Sequence, residues 1–331
     1  MEIDRLFNAF GKLKVGVIGD VMLDTYMWGR VDRISPEAPV PIVALEKKEQ
    51  RLGGASNVAL NLVSLGAKTS VLSVTGNDTD GERLSSLLRE KNIDDKYLIL
   101  SSDRITTNKT RVICRNQQML RMDAEVADDL GKEDASRLFE SFRSFITEEQ
   151  PDVIIFEDYN KGVLTEEIIA QAISLCVAKG ILTAVDPKRN SFFSYRGVDL
   201  FKPNLKEVRD ALHMEREEVS HRSMVQIHDA LHQKLHHLIS LITLSEKGVF
   251  YQAGQESAII PSHVRNVADV SGAGDTVIAV ASLVYAVTRN ARAMAEIANI
   301  AGGLVCEEVG TAAIDPQRLK EEAIHILGRD I

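Results

Sequence analysis

The chain has 331 residues, 44% hydrophobic, 26% charged and 5% aromatic, with a formal net charge of −9 and a pI near 5.5. That mixture suits a globular enzyme, and the acidic balance excludes a basic footprint for nucleic acid or an anionic membrane, so small molecules are the expected partners. The charged start Met1-Glu2-Ile3-Asp4-Arg5 and the lack of any run of about 18 apolar residues predict neither secretion signal nor membrane span; with Cys114, Cys176 and Cys306 read as reduced thiols, the expected location is the cytoplasm.

The first strand is Lys14 to Gly19, a continuous apolar run of the kind buried on both faces of a parallel sheet, and it ends in Asp20 and Asp24, where open α/β sheets place ligands. These carboxylates suit a pair of sugar hydroxyls, or are part of a solvated turn. From Tyr26 to Gln50, β-branched and aliphatic residues separated by Pro36, Pro39 and Pro41 predict strands interrupted by turns. Gly53, Gly54 and Asn57 lead into a helix over Val58–Leu65 closed by Gly66, followed by a strand (Thr69–Val74), a helix (about Asp80–Lys91) and a strand near Tyr97–Leu100. A second β-rich insertion runs over about 104–122; the two insertions are expected to pair into one small accessory sheet, serving as a lid, a dimer surface, or both.

Alternation then resumes: a helix over Glu133–Thr147, a buried strand from Asp152 into Asp158, Tyr159 and Lys161, a helix over Thr165–Ala178 closed by Gly180, and a strand at Leu182–Val185 ending in Asp186-Pro187-Lys188. Pro203 stops the strand at Leu200-Phe201, and Asn204 can cap the helix that carries Glu207. A polar helix over Val219–His237, a strand at Leu238–Leu244, the turn Ser245 to Gly248, and helices at Ala273–Val287, Met294–Glu307 and about Pro316–Leu327 complete a single unit over 1–331. The fold class is α/β, a doubly wound and mostly parallel sheet with helices on both faces and a small β-sheet lid.

The most informative run is Asp269-Val270-Ser271-Gly272-Ala273-Gly274-Asp275-Thr276, followed by Val277 to Ala281. Small residues opening an apolar helix crowd backbone amides into an anion site. A carboxylate there would repel the anion unless it served as general base, so Asp275 is either that base or a helix cap in a tight turn. His228, His232 and His236 share one helix face that could hold zinc, but with no cysteine or suitably spaced acid nearby a solvated face is the preferred reading. No P-loop run, Gly-x-Gly-x-x-Gly or Gly-x-Ser-x-Gly elbow occurs where those chemistries need one.

The run Gly53-Gly54-Ala55-Ser56-Asn57-Val58-Ala59, with Gly66 and Gly76 following, resembles the first signature of the ribokinase-like (PfkB) carbohydrate kinases; Asp269 to Asp275 resembles the second, and Asn204-x-x-Glu207 that family's magnesium-and-phosphate element. The likeness spans about residues 14–327. Gly19 to Asp24, Arg33 to Pro41, Thr110 to Ile113 with Asn116-Gln117-Gln118, Asp158 to Leu164 and Gly274 to Ala279 are similar to the branch that phosphorylates D-glycero-β-D-manno-heptose 7-phosphate in lipopolysaccharide precursor synthesis. Three positions depart from the pattern: Glu157 where a small residue is expected, Ser271 for threonine, and Val280 for a small residue.

The resemblance implies an ATP- and Mg²⁺-dependent kinase acting on a sugar phosphate. In that reading Asp275 is the base, with the amides of Gly272, Ala273 and Gly274 facing the transferred phosphoryl group. Asp20, Asp24, Gly53, Gly54, Asn57 and Lys161 belong to the sugar, and Lys109 and above all Arg111, with Arg30, Arg33, Arg115 and Arg121 nearby, to its phosphate. Asn204, Glu207, Lys188, Ser245, Gly248 and Asn299 belong to the nucleotide, and Glu207 reaches the metal through water. A homodimer through the β lid is implied, and with no nucleotidyltransferase domain in this chain a separate protein is expected to supply that activity. A sibling kinase for ribose, fructose 6-phosphate or a nucleoside, or a catalytically silent sugar or nucleotide sensor, are the other readings.

Overall fold

The computed structural model describes residues 1–115, 117–214, 218–263 and 267–331; Asn116, quoted above, lies outside them. In chain order the elements are α1 (Ile3–Phe10), β1 (Lys14–Gly19), β2 (Val21–Ile34), β3 (Pro41–Gly54), α2 (Ala55–Ser64), β4 (Lys68–Gly76), α3 (Thr79–Glu90), β5 (Leu98–Ser101), β6 (Asn108–Cys114), β7 (Gln117–Ala124), α4 (Lys132–Glu149), β8 (Val153–Glu157), α5 (Glu166–Lys179), β9 (Leu182–Asp186), β10 (Leu200–Phe201), α6 (Leu205–Leu212), α7 (His221–Leu235), β11 (Ile239–Thr243), β12 (Val249–Ala253), β13 (Glu256–Ile260), α8 (Ala273–Thr288), α9 (Ala291–Val305) and α10 (Pro316–Leu327).

Nine strands form the main sheet in the order β13-β12-β11-β10-β9-β8-β1-β4-β5. Pairing is parallel from β11 to β5, while β12 and β13 are added antiparallel at one edge. Alternate residues of each central strand serve opposite faces. Val15, Val17, Val153 and Ile155 pack with helices α1, α2, α3, α8, α9 and α10, whereas Ile18, Ile154 and Phe156 pack with α4, α5, α6 and α7. Both faces being covered is what the continuous apolar runs foretold. Helix ends follow local chemistry: Thr165 accepts from the Ile168 amide to start α5, and Gly180, at φ 66°, ends it in the left-handed region where glycine pays no steric cost.

The two insertions do pair, giving a four-stranded sheet β3-β2-β6-β7. Its first hairpin departs from the expected interrupted strands: β2 and β3 are each 14 residues long and run on past 26–50 into Val21 and Gly54, with register shifts only at Trp28/Gly29 and Val31/Arg33. Pro36 and Pro39 lie in the connection and Pro41 opens β3, positions where a missing N–H costs no ladder bond. Two elements have no counterpart in the sequence reading. Helix α1 is only eight residues long but buries Ile3, Leu6 and Phe10 along one stripe, and β13 is a half-buried edge strand whose pattern alternates weakly.

The histidine helix also differs from expectation. Met224, Ile227, His228, Leu231 and Leu235 make a buried stripe on α7, so His228 is not on a solvated face. Its Nδ1 and the Nε2 of buried His237 lie 2.9 and 2.6 Å from Ser240 Oγ, and burial pushes His237 down to about 3.

Candidate active site

The carboxyl ends of the parallel strands open on one edge of the main sheet, and α8 begins there. Gly272 caps it in the left-handed region at φ 78°, and a Cβ at that position would lie 2.8 Å from Asn57 Nδ2, so a side chain is excluded by both conformation and space. The preceding loop is pinned by Asp269, whose two oxygens accept from the amides of Ser271 and Gly310, each at 2.9 Å. The amides of Ala273, Gly274 and Asp275 precede the first hydrogen bond of the helix, from Thr276 N to Gly272 O. Of these, Ala273 N turns back to Val270 O at 3.3 Å.

Asp275 is 3% exposed at the base of this turn. Its Oδ2 accepts from Asn57 Nδ2 and its Oδ1 from Tyr159 Oη, both at 2.7 Å. Burial raises its pKa above the ordinary aspartate value against the pull of those two donors, which also hold the carboxylate in one orientation. The other polar atom of Asn57, Oδ1, is buried without a partner and is available to a ligand hydroxyl.

Beside Asp275 lies a second charged group built from the next strand ends. Asp186 pairs with Lys202 at 2.7 Å and Lys188 at 3.2 Å, and Lys188 continues to Glu207 at 3.0 Å. Burial works against the charge on Asp186, but the two lysines prevail and hold its pKa low; for Lys188, burial is outweighed by Asp186 and Glu207, which raise it well above the ordinary ammonium value. Asn204 and Glu207 start α6 as a reciprocal capping box, each side chain accepting from the other's amide at 2.8 Å.

On the side facing the small sheet, Asp24 accepts from Arg111 at 2.5 Å, and Gly53 leaves room for it, since a Cβ there would come within 2.4 Å of Asp24 Oδ2. The Arg111 guanidinium lies over Tyr26, 5.3 Å from its ring centre. Lys109 lies 5.5 Å and Lys188 5.4 Å from the Tyr159 ring centre. Lys109 makes no ion pair among the described residues, whereas Lys161 is bound to Glu125 at 2.7 Å.

Asp20 corrects the expectation that both strand-end carboxylates face sugar hydroxyls. It is 1% exposed, and its oxygens already accept from the amides of Tyr159, Lys161 and Val163 at 2.8, 3.0 and 3.1 Å, which shapes the loop carrying Tyr159. Gly54 is likewise placed by backbone needs, with φ 58° and a would-be Cβ 2.4 Å from Asp20 O.

At the far end of the edge, Gly248 (φ 94°) closes the turn from Ser245, its amide donating to Ser245 O at 3.1 Å, and it packs on Ile260 and Ser262. Asn299 reaches the same segment by donating to Pro261 O at 2.9 Å. Thr243, two residues before Ser245, bridges to Asn204, so these residues and the capping box share one neighbourhood.

The model of the pfkB family of carbohydrate kinases matches residues 12–318. The chain belongs to that family. Among similar proteins are the bifunctional protein HldE of Sulfurimonas denitrificans, 39% identical over 93% of this chain and 64% of its own length, and that of Geobacter sulfurreducens, 37% identical over 96% and 64%. This kinase thus spans about 64% of the length of those relatives. Phosphofructokinase-2 from Escherichia coli in complex with potassium has the same fold, with a TM-score of 0.78, 18% identity, and coverage of 94% of this chain and 99% of that one. Arabidopsis thaliana ribokinase complexed with ribose and ATP follows at 0.71, with 15% identity and coverage of 93% and 99%. Kinases of this fold use ATP, and the chain is an ATP-dependent carbohydrate kinase.

The structure gathers around Asp275 of this kinase three residues that the sequence reading left without a role. Tyr159 donates to Asp275, Asp186 anchors two lysines, and Lys202 is buried against Asp186. Asp186 and Lys202 each stand at a strand's carboxyl end, and a lysine ending a buried strand was itself a signal, since a buried ammonium needs a carboxylate. No helix among the described residues is long and apolar enough to cross a membrane.

Proposed function

We propose that this kinase transfers the γ-phosphoryl group of ATP to the anomeric hydroxyl of D-glycero-β-D-manno-heptose 7-phosphate, giving the 1,7-bisphosphate and ADP, as a cytoplasmic step toward a lipopolysaccharide precursor. The observation that carries the reading is Asp275, held by Asn57 and Tyr159 at the first turn of α8 and flanked on the side of the small sheet by Lys109 and Arg111. The 37–39% identity to proteins named bifunctional HldE supports the choice of sugar.

Asp275 takes the proton of the anomeric hydroxyl as its oxygen bonds to the γ-phosphorus and the bond to the β,γ-bridging oxygen breaks. The amides of Gly272 and Gly274 face the charge that spreads over the transferred group; Ala273 contributes once its bond to Val270 O is released. Asp24 and the orphaned Oδ1 of Asn57 receive sugar hydroxyls, with Gly53 providing the space, while Asp20, Gly54 and the backbone of Lys161 shape the wall. For the 7-phosphate, Lys109 takes precedence over Arg111, because Arg111 is already spent in part on Asp24. The nucleotide lies along Lys188, Asn204, Ser245, Gly248 and Asn299.

The donor set fits Mg²⁺ carried with the nucleotide. Each Glu207 oxygen has one donor and a lone pair to spare, and the partly exposed side chain suits contact through water. When bound, the ion neutralises charge on the phosphates.

A homodimer joined through the small sheet is part of the proposal, supported by Ile34, Val40, Leu45, Met119, Leu120 and Met122, all exposed on or beside its strands.

An ADP-release assay across heptose 7-phosphate, heptose, fructose 6-phosphate, ribose and a nucleoside tests the reading. The highest kcat/KM is expected for heptose 7-phosphate; a tenfold preference for another acceptor would replace it with a sibling kinase, and ligand binding without ADP formation would leave a sensor.

A further inference from the structure

Arg51 stands on β3 opposite Asp24 in the ladder, and nothing in the catalytic scheme uses it. Its half-buried guanidinium is held from several directions at once. Nε donates to Glu49 at 2.6 Å, Nη1 donates to the carbonyls of Val309 at 3.0 Å and Thr311 at 3.2 Å, and the group lies over Tyr26, 5.0 Å from the ring centre. Those carbonyls belong to the connection between α9 and α10, 258 and 260 positions along the chain. Gly310 between them has φ 75°, and a Cβ there would come within 2.8 Å of Arg51 Nη1 and 2.9 Å of Tyr26 Oη, so the approach depends on the missing side chain. A guanidinium meets this demand because it offers planar donors and an aromatic-stacking face together, which an ammonium does not.

Gly310 continues the contact toward α8. Its amide donates to one oxygen of Asp269, whose other oxygen accepts from Ser271 N, directly before the turn that opens the helix. Thr311 packs beside the same turn, since a Cβ on Gly272 would lie 3.6 Å from its Cγ2. At the other end, the Tyr26 ring under Arg51 also carries Arg111, the partner of Asp24. One tyrosine thus joins the acceptor side of the site to the residue that grips the phosphoryl loop from behind. We propose that Arg51 is a positioning residue for phosphoryl transfer, setting the amides ahead of α8 against the group in flight according to how the small sheet sits on the acceptor. It acts through Gly310 and Asp269 and not on the substrates directly. The inference rests on the reading that those amides face the transferred group, and is independent of which sugar accepts it. Binding of ADP alone leaves the amides unused and does not need Arg51, whereas a phosphoryl mimic between ADP and the acceptor does.

Calorimetric titration of the full-length protein with ADP and Mg²⁺, with and without fluoroaluminate, tests this in the presence of the acceptor that the panel above selects. In wild type, fluoroaluminate should tighten ADP at least about tenfold. Arg51→Met is expected to lose most of that tightening while binding ADP alone within about twofold, and to lower kcat about tenfold with little change in the KM for ATP. Arg51→Lys should lose about threefold of the tightening, and it replaces the methionine variant if that one does not fold. Glu49→Gln breaks the pair with Nε, leaves the carbonyl bonds, and should behave as wild type. The inference is overturned if the tightening survives loss of Arg51, if ADP alone weakens as much as ADP with fluoroaluminate, or if Glu49→Gln has the same effect. A wild type without any tightening would remove the reading of the amides and this inference with it, while a different preferred sugar leaves both standing.

Discussion

The carboxyl edge of the main sheet and the face of the small sheet solve opposite problems. Around Asp275, side chains are largely buried and both oxygens of the carboxylate are already paired, each to a residue more than a hundred positions away, Asn57 and Tyr159. On β7 every described residue from Gln117 to Ala124 is exposed, and Met119, Leu120 and Met122 show large apolar side chains to solvent. Phosphoryl transfer is dominated by positioning and electrostatics, which a rigid prepaid site provides. Recognition of a particular sugar and of a second subunit needs surface that is still unsatisfied. The chemistry is therefore expected to fail abruptly when its region is altered, and the small sheet to change specificity or assembly by degrees.

The sharpest break in that contrast comes from Asp275→Asn, for which turnover should fall at least about 100-fold while ATP affinity, measured by calorimetry, is kept; near wild-type turnover would remove Asp275 as the base. Next is Lys109→Ala, expected to lower kcat/KM for heptose 7-phosphate about tenfold through KM and to leave unphosphorylated heptose unaffected. Equal losses on both acceptors would show a structural role instead. A smaller effect concerns pH. The base must be ionised, and burial raises the Asp275 pKa, so kcat/KM should decline as pH falls, with its acid limb displaced upward from where an unperturbed aspartate would put it. Tyr159→Phe removes a donor that favours the ionised form and should move that acid limb upward; an unmoved limb would separate the tyrosine from the titrating group. Smallest in turnover is the pair Leu120→Lys with Met122→Lys. Light scattering should show dimer converted to monomer with kcat within about twofold, and an unchanged mass would place the interface elsewhere.

Most of the α/β order was legible because it depends on local signals: apolar runs bounded by glycine and proline, with Asn204 and Thr165 marking helix starts. Pairing of the two insertions was legible too, since separated β patches must satisfy their ladders somewhere. What could not be read is where a buried polar group turns. Asp20 and Asp24 look equivalent in sequence, yet one accepts three backbone amides and the other a guanidinium. His228 looked like part of a solvated face because its partner, Ser240, comes from the next strand. Glu157 was noticed only as a departure; the burial of its carboxylate beside Asp186 and Asp275 depends on β9 and α8, which meet it only in the folded chain.

The three-amide grip of Asp20 also has a kinetic meaning. The loop holding Tyr159 is shaped by a carboxylate 139 positions earlier, so it can take its working form only after β1 and β8 have come side by side. Contacts of such wide sequence separation form late and slowly in folding. Recovery of turnover after dilution from denaturant would then act as a clock for completion of the central sheet, lagging behind the return of helical signal from segments such as α5 and α9, whose turns close locally.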